Sequence, residues 1–224
     1  MGSAAFSGHS VNSYTEGPQR QVPGYLSLHR MTAMLLAERA PADGRIMVLG
    51  AGGGLELNAL AAFSSGWSFD GIDPSADMLR LAERTTAPHA ARIRLHAGYI
   101  GDAPAGPFDA ATSLLTFHFI PREERLETLR QIRSRLKPEA PFVVAHISFP
   151  QTGPERSQWI ARHVAFGMPD GTDPARMEDS RRAIATRLAI LAPEEEEAML
   201  RDAGFSNASL FYAAFSFKGW VAYA

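Results

Sequence analysis

Apolar and polar positions alternate along this chain in two different periods. "RIMVL" (45–49) is a short, almost wholly apolar run, as expected for a strand covered on both faces. "LELNALAAFSS" (55–65) then reads as a helix that stops at Gly66. "WSFDGID" (67–73) is a second strand. "PSADMLRLAER" (74–84) follows as a helix opened by Pro74 and Ser75, with Asp77 favourable in its first turn. "ARIRLHA" (91–97) is a third strand, and "PFDAATSLLTFHF" (107–119) contains a fourth. "REERLETLRQIRSRL" (122–136) is an amphipathic helix with Leu126, Leu129, Ile132 and Leu136 on one face, and "APFVVAHIS" (140–148) is a fifth strand. Upstream, "LSLHRMTAMLLAER" (26–39) places Leu28, Met31 and Leu35 on one helical face with Met34 beside them, and Pro41 with Gly44 ends it.

Strands that alternate with helices imply right-handed βαβ crossovers and a doubly wound, mostly parallel α/β sheet. The tail differs. After "RRAIATRLAIL" and "PEEEEAMLRDAGF", the stretches "NASLFYAAF" and "FKGWVAYA" are close together and strand-like, which predicts an antiparallel hairpin on the sheet edge and seven strands in all. The expected organisation is an N-terminal segment and helix over 1–44 and a domain over 45–224. That domain carries a helical insertion at about 150–190, with Pro/Gly breaks and little strand character. "PEEEEAML" (193–200) reads as a solvated helix start.

The 224 residues suit one α/β domain with an insertion. A formal charge of −2 gives no general field toward nucleic acid or an anionic membrane. There is no cysteine, which removes disulfides, thiolate nucleophiles and thiolate-held metal, and fits a cytoplasmic location. The histidines show no helical metal-ligand spacing, so no metal is expected. No run approaches the ~20 apolar residues that span a bilayer, and the first 25 residues lack a secretory pattern.

The chemistry centres on "VLGAGGG", where Gly50, Gly52, Gly53 and Gly54 join the first strand to the first helix at the sheet's carboxyl edge, the place where open α/β sheets bind ligands. A merely tight turn needs one or two glycines, and more of them let a ligand approach the main chain. The dinucleotide fingerprint has its third glycine where this chain has Leu55, and no Lys-Ser/Thr pair marks a phosphate loop. A nucleoside without phosphate fits better. Asp73, at the tip of the second strand, can accept both hydrogen bonds of a ribose diol or simply cap the following helix.

At these residues the chain resembles the class I S-adenosylmethionine-dependent methyltransferases. "VLGAGGG", "GIDPSADML", "GPFDAATSLLTFHFI" and "LKPEAPFVVAHIS" carry the resemblance over about 45–148. It implies a seven-stranded sheet with the last strand antiparallel. It also implies an S-adenosylmethionine site built from Tyr25, Gly50, Ala51, Gly52, Gly54, Asp73, Pro74, Met78, Tyr99, Ile100 and Leu114. Two positions depart from the family pattern. The strand-one acid is Val48, and the Asp after strand three is Tyr99, with Asp102 the nearest acid.

The flanks, "QRQVPGYLSLHRMTAMLLAER" and "DAGFSNASLFYAAFSFKGWVAYA", are similar to the carboxy-S-adenosylmethionine synthases. In that branch the tyrosine matched by Tyr25 lies over the cofactor, and an arginine that falls on Arg181, next to Arg182, binds the added carboxylate of carboxy-S-adenosylmethionine. A bidentate guanidinium suits that task, and a solvated basic helix face is the plainer alternative. An Asn of those synthases is Leu114 here, and the ordinary methyl donor is the expected cofactor.

His118, after strand four, is the candidate base for an acceptor hydroxyl or amine, or else a half-buried structural histidine. Trp159, His163, Phe166 and Met168 of the insertion cover the acceptor pocket or pack the insertion onto the domain; with the segment around Tyr25 they form a candidate lid. The expected partner is a small-molecule substrate, with no nucleic acid and no membrane; a homodimer is compatible with the sequence. The competing readings are a synthase-like enzyme and a module that binds S-adenosylmethionine without turnover.

Overall fold

The computed structural model describes residues 17–224, so the first sixteen residues of the expected N-terminal segment lie outside the described residues. Seven strands form one sheet in the order β3-β2-β1-β4-β5-β7-β6. These are β1 (Arg45–Leu49), β2 (Ser68–Asp73), β3 (Ile93–Ala97), β4 (Ala110–Leu114), β5 (Pro141–Ile147), β6 (Ser206–Ala214) and β7 (Phe217–Tyr223). The first five pair in parallel, and β7 runs antiparallel between β5 and β6. The strand order reverses beside β1, so the loops after β1 and β4 open a crevice at the carboxyl edge.

The helices are α1 (Tyr25–Ala37), α2 (Leu55–Phe63), α3 (Ala76–Thr85), α4 (Arg122–Ser134), α5 (Gly153–Gly167), α6 (Pro174–Arg187) and α7 (Pro193–Asp202). One apolar layer joins α1 and α2 to the sheet through Leu28, Leu36, Val48, Leu57, Leu60 and Val143. The opposite layer packs Met47, Ile72, Phe108, Leu129, Ile132, Phe142 and Trp220 beneath α4 and α7. β1, β4 and β5 are buried on both faces, which is why their sequences are nearly continuous apolar runs.

Two expectations need correction, Met34 on α1 and the start of α7. On α1 the buried residues are Tyr25, Leu28, His29, Thr32, Ala33 and Leu36, while Met34 is exposed. The expected Leu28, Met31 and Leu35 do pack onto the core, and the buried face is broader than that seam because α1 meets both α2 and β5; of the expected four only Met34 turns outward. The insertion is two helices, α5 and α6, tied by the Arg156 guanidinium donating to Ala185 O at 2.7 Å. Lastly, α7 is not wholly solvated at its start. Glu196 is buried, because helical periodicity turns it inward with Leu200.

Among the described residues, no helix is long and apolar enough to cross a membrane.

Candidate functional site

The loop after β1 is fastened to the end of β2. Gly50 and Ala51 N–H both donate to Ile72 O, at 2.8 and 3.0 Å. Gly52 N–H donates to Asp73 Oδ2 at 2.9 Å, and Ser75 N–H donates to Asp73 Oδ1 at 2.9 Å. The Ser75 hydroxyl caps α3 by accepting from Met78 N–H at 3.3 Å. The two readings of Asp73 therefore separate: Ser75 is the cap, and Asp73 fixes the glycine turn.

Gly50, Gly52 and Gly54 have φ of 81°, 50° and 83°, the left-handed region that side-chain-bearing residues avoid. Two of them are also demanded by neighbours. A Cβ on Gly50 would stand 2.0 Å from Thr116 Oγ1, and one on Gly54 would stand 2.9 Å from Ala82 Cα. The expectation that the glycines clear room for a ligand thus narrows. Gly50 lets the turn lean on the loop after β4, and Gly54 lets α2 approach α3.

Electrostatics set two carboxyls apart. Burial raises Asp73, while the Ser75 and Gly52 N–H groups pull it partly back. Each of its oxygens uses one acceptor position on the loop and retains another. Glu56, which the sequence reading passed over, lies in the first turn of α2 and is buried. Burial pushes its carboxyl up to about 8, opposed by the Thr112 hydroxyl and the Leu114 main chain. Its Oε1 has no hydrogen-bond partner among the described residues. One sequence signal could have revealed it: Glu56 stands four residues before the fully buried Leu60, on the same helical face.

The loop after β3 carries Tyr99, exposed, and Ile100, buried. Asp102 turns onto the chain itself, where its Oδ2 accepts from Tyr99 N–H at 2.9 Å. Gly98, at φ 144°, leaves the room for that carboxylate. Beside this loop Met78 is buried and Pro74 exposed.

After β4, Leu114 is buried and Leu115 takes φ 58°, which turns the chain toward the glycine loop. His118 is buried, and its Nδ1 accepts from Ile147 N–H at 3.5 Å. Burial holds it well below the usual imidazole range, helped by His146, Arg125 and His163. With Nδ1 accepting, the proton of the neutral ring sits on Nε2, so the free nitrogen is a donor, which weighs against its use as a base.

Arg125, fully buried, anchors this side of the edge. Its Nε donates to Ile120 O at 3.1 Å, its Nη2 to Ala189 O, and its Nη1 pairs with Glu196 Oε1 at 2.5 Å. Burial alone would raise Glu196, but His146, 2.9 Å away, and then Arg125 outweigh it and hold the carboxyl below its ordinary value.

Tyr25 is buried at the start of α1, its ring 4.4 Å from His29 in an edge contact. The Tyr212 hydroxyl holds the preceding turn by donating to Pro23 O. Trp159 stacks on Phe149 beyond β5, and Gly167 at the end of α5 lies against Gln21. The insertion and the N-terminal segment thus meet. Arg181 points one edge inward: its Nε is buried without a partner among the described residues, while its Nη1 lies 3.4 Å from Glu178. Arg182 is exposed. The carboxyl edge therefore gathers the glycine loop, Asp73, Tyr99, Ile100 and Leu114, whereas Arg181, Arg182 and Trp159 sit on the insertion.

Residues 47–142 match the family model described as a methyltransferase domain. Over 226 aligned residues the chain is 22% identical to the carboxy-S-adenosyl-L-methionine synthase of Aeromonas hydrophila, covering 99% of this chain and 91% of the relative. It is 26% identical to the synthase of the same description from Pseudomonas savastanoi, covering 97% and 92%. In structure it is similar to a Nostoc punctiforme protein described as an O-methyltransferase, with a TM-score of 0.67 and 21% identity. That alignment covers all of this chain but only 65% of the other, and at this identity it shows the fold alone.

Proposed function

We propose, from the premise that residues 47–142 are a methyltransferase domain using S-adenosylmethionine or a derivative of it, that the protein transfers the methyl group to a small-molecule acceptor. The observation that carries this is Asp73: it pins the glycine turn through Gly52 and keeps an acceptor position on each oxygen for a ribose diol. The residues fit the cofactor. Gly50 to Gly54 present main chain, Asp73 meets the sugar, exposed Tyr99 and the buried Ile100 and Met78 flank the base, and Leu114 borders the amino-acid end. When bound, the cofactor supplies a methyl group on a positively charged sulfur, already activated for displacement.

The protein's part is to align and to exclude water. Alignment alone supplies up to roughly 7–11 kcal/mol of such a barrier. The N-terminal segment around Tyr25 and the insertion, which touch at Gln21 and Gly167, serve as the lid. His118 stays neutral and shapes the acceptor side as a hydrogen-bond donor, and the chemistry proceeds without it as a base. The slight negative charge of the chain favours a small acceptor over nucleic acid.

One observation favours a second reading. The inward, unpartnered Nε of Arg181 is suited to a carboxylate, as a carboxylated S-adenosylmethionine would bring. Mass spectrometry of ligand carried through purification, followed by calorimetric titration and a metabolite panel, separates the two. S-adenosylmethionine or its demethylated product, with methylated product formed, is the expected result. Binding of neither at millimolar concentration overturns the methyltransferase reading. Arg181→Ala should leave S-adenosylmethionine affinity within about twofold. If the carboxylated form is the ligand, the loss of one charge-assisted contact lowers its affinity by about tenfold to a hundredfold.

A further inference from the structure

We propose that Glu56 contacts the ammonium group at the amino-acid end of S-adenosylmethionine, its free Oε1 accepting from the N–H. This assignment rests on the cofactor reading above and adds to it a residue that the glycine motif does not contain.

The geometry is specific. Glu56 stands two residues after Gly54, in the first turn of the helix that the glycine loop opens, and is buried between α2 and the end of β4 at Thr112 and Leu114. A solvent-facing carboxylate there would only complement the helix dipole. This one is 6% exposed, and its Oε1 lacks any hydrogen-bond partner among the described residues. An isolated charge in such a place is costly, so without a counter-charge Glu56 is a neutral acid.

Among the described residues no cation forms an ion pair with Glu56; Arg92, the guanidinium that meets α2, donates to Ala61 O nearer the helix's other end. The buried ionisable groups on the elements packed against α2 are Tyr25 and His29 of α1 and Asp70 and Asp73 of β2. Burial lowers His29 to about 4, so it is neutral near pH 7. Asp70 faces the other layer, paired with Arg45 and His96, and Asp73 is engaged with Gly52 and Ser75. None of these forms an ion pair with Glu56. A buried acid without its counter-charge, beside a loop shaped for a cationic nucleoside, is a half-made ion pair whose other half arrives with the ligand.

The balance is simple. Protonated Glu56 plus the ligand's ammonium gives carboxylate paired with ammonium, and one proton leaves to solvent. The carboxyl of the empty protein sits at about 8, so at pH 6.5 it carries nearly a full proton, and the ligand's α-ammonium is charged there as well. Uptake of S-adenosylmethionine at pH 6.5 should therefore release about one proton.

Calorimetric titration in two buffers of different ionisation heat, with wild type and Glu56→Gln, tests this against three ligands. S-adenosylmethionine and S-adenosylhomocysteine both carry the ammonium, and 5′-methylthioadenosine does not. Glu56→Gln should weaken the first two by about tenfold or more, leave the third within about twofold, and abolish the proton release. Equal effects on all three ligands, or none on any, overturn the assignment. So does a loss confined to S-adenosylmethionine, which would point to the sulfonium instead. Should Glu56→Gln fail to fold, the wild-type proton count decides alone: zero, or the same release with 5′-methylthioadenosine, overturns it. If wild type binds none of the three, the cofactor reading itself fails, and the assignment goes with it.

Discussion

Asp73→Ala is expected to lower S-adenosylmethionine affinity by about a hundredfold or more, because two kinds of bond disappear together. The first is the pair of charge-assisted hydrogen bonds offered to the ribose diol, each worth about 1.5–3 kcal/mol. The second is internal. Gly52 N–H and Ser75 N–H lose the carboxylate that holds the glycine turn in place. Asp73→Asn separates shape from charge, since the amide can still accept from Ser75 but turns an NH₂ toward Gly52 N–H. It should recover only a small part of the affinity, while melting temperature recovers more. Calorimetric titration beside thermal unfolding measures both. Unchanged affinity in Asp73→Ala would remove Asp73 from the cofactor site and leave it as a fastener of the loop.

The second large effect concerns the opposite side of the edge. Arg125→Met should destabilise the protein by about 3–5 kcal/mol, since it strands Glu196 in the core and frees the Ile120 and Ala189 carbonyls. For a chain of this size that is a fall in melting temperature of about 6–20 °C. Arg125→Met with Glu196→Leu should regain most of the loss, because a matched apolar pair carries no desolvation penalty. Denaturant unfolding at neutral pH reads both variants. A single substitution that costs under about 1 kcal/mol would show that His146, 2.9 Å from Glu196, is a sufficient partner by itself. Arg125 reaches both the loop after β4 and the segment that follows the insertion. The single variant should therefore also loosen the acceptor side while sparing the glycine turn.

The local geometry of the candidate site was legible in the sequence. The glycines of the β1–α2 turn and the acid at the tip of β2 announce themselves, because left-handed backbone and an edge carboxylate are local requirements. The Gly52–Asp73 hydrogen bond then supplies the reason they occur about twenty residues apart. Other features left weaker traces. Glu56 shows only as one carboxylate in an apolar turn, and the four glutamates of α7 look alike in sequence. Which one is buried depends on helix phase and on Arg125 and His146, which lie fifty or more residues earlier in the chain. The burial of His118 depends on β5 supplying Ile147 N–H and on the segment around Ala189 covering it.

The sequence by itself determined the order of strands and helices, the parallel sheet with its antiparallel tail, and the left-handed glycine turn after β1. Each of these follows from periodicity and backbone preference, which act over a few residues. Only the tertiary structure decided which groups share the interior: Glu196 with Arg125, Gly50 against Thr116, and Glu56 with no ion-pair partner among the described residues. A helical or strand period states which face turns inward but not what waits there. The free energy of a buried charge depends on that neighbour far more than on the residue's own chemistry.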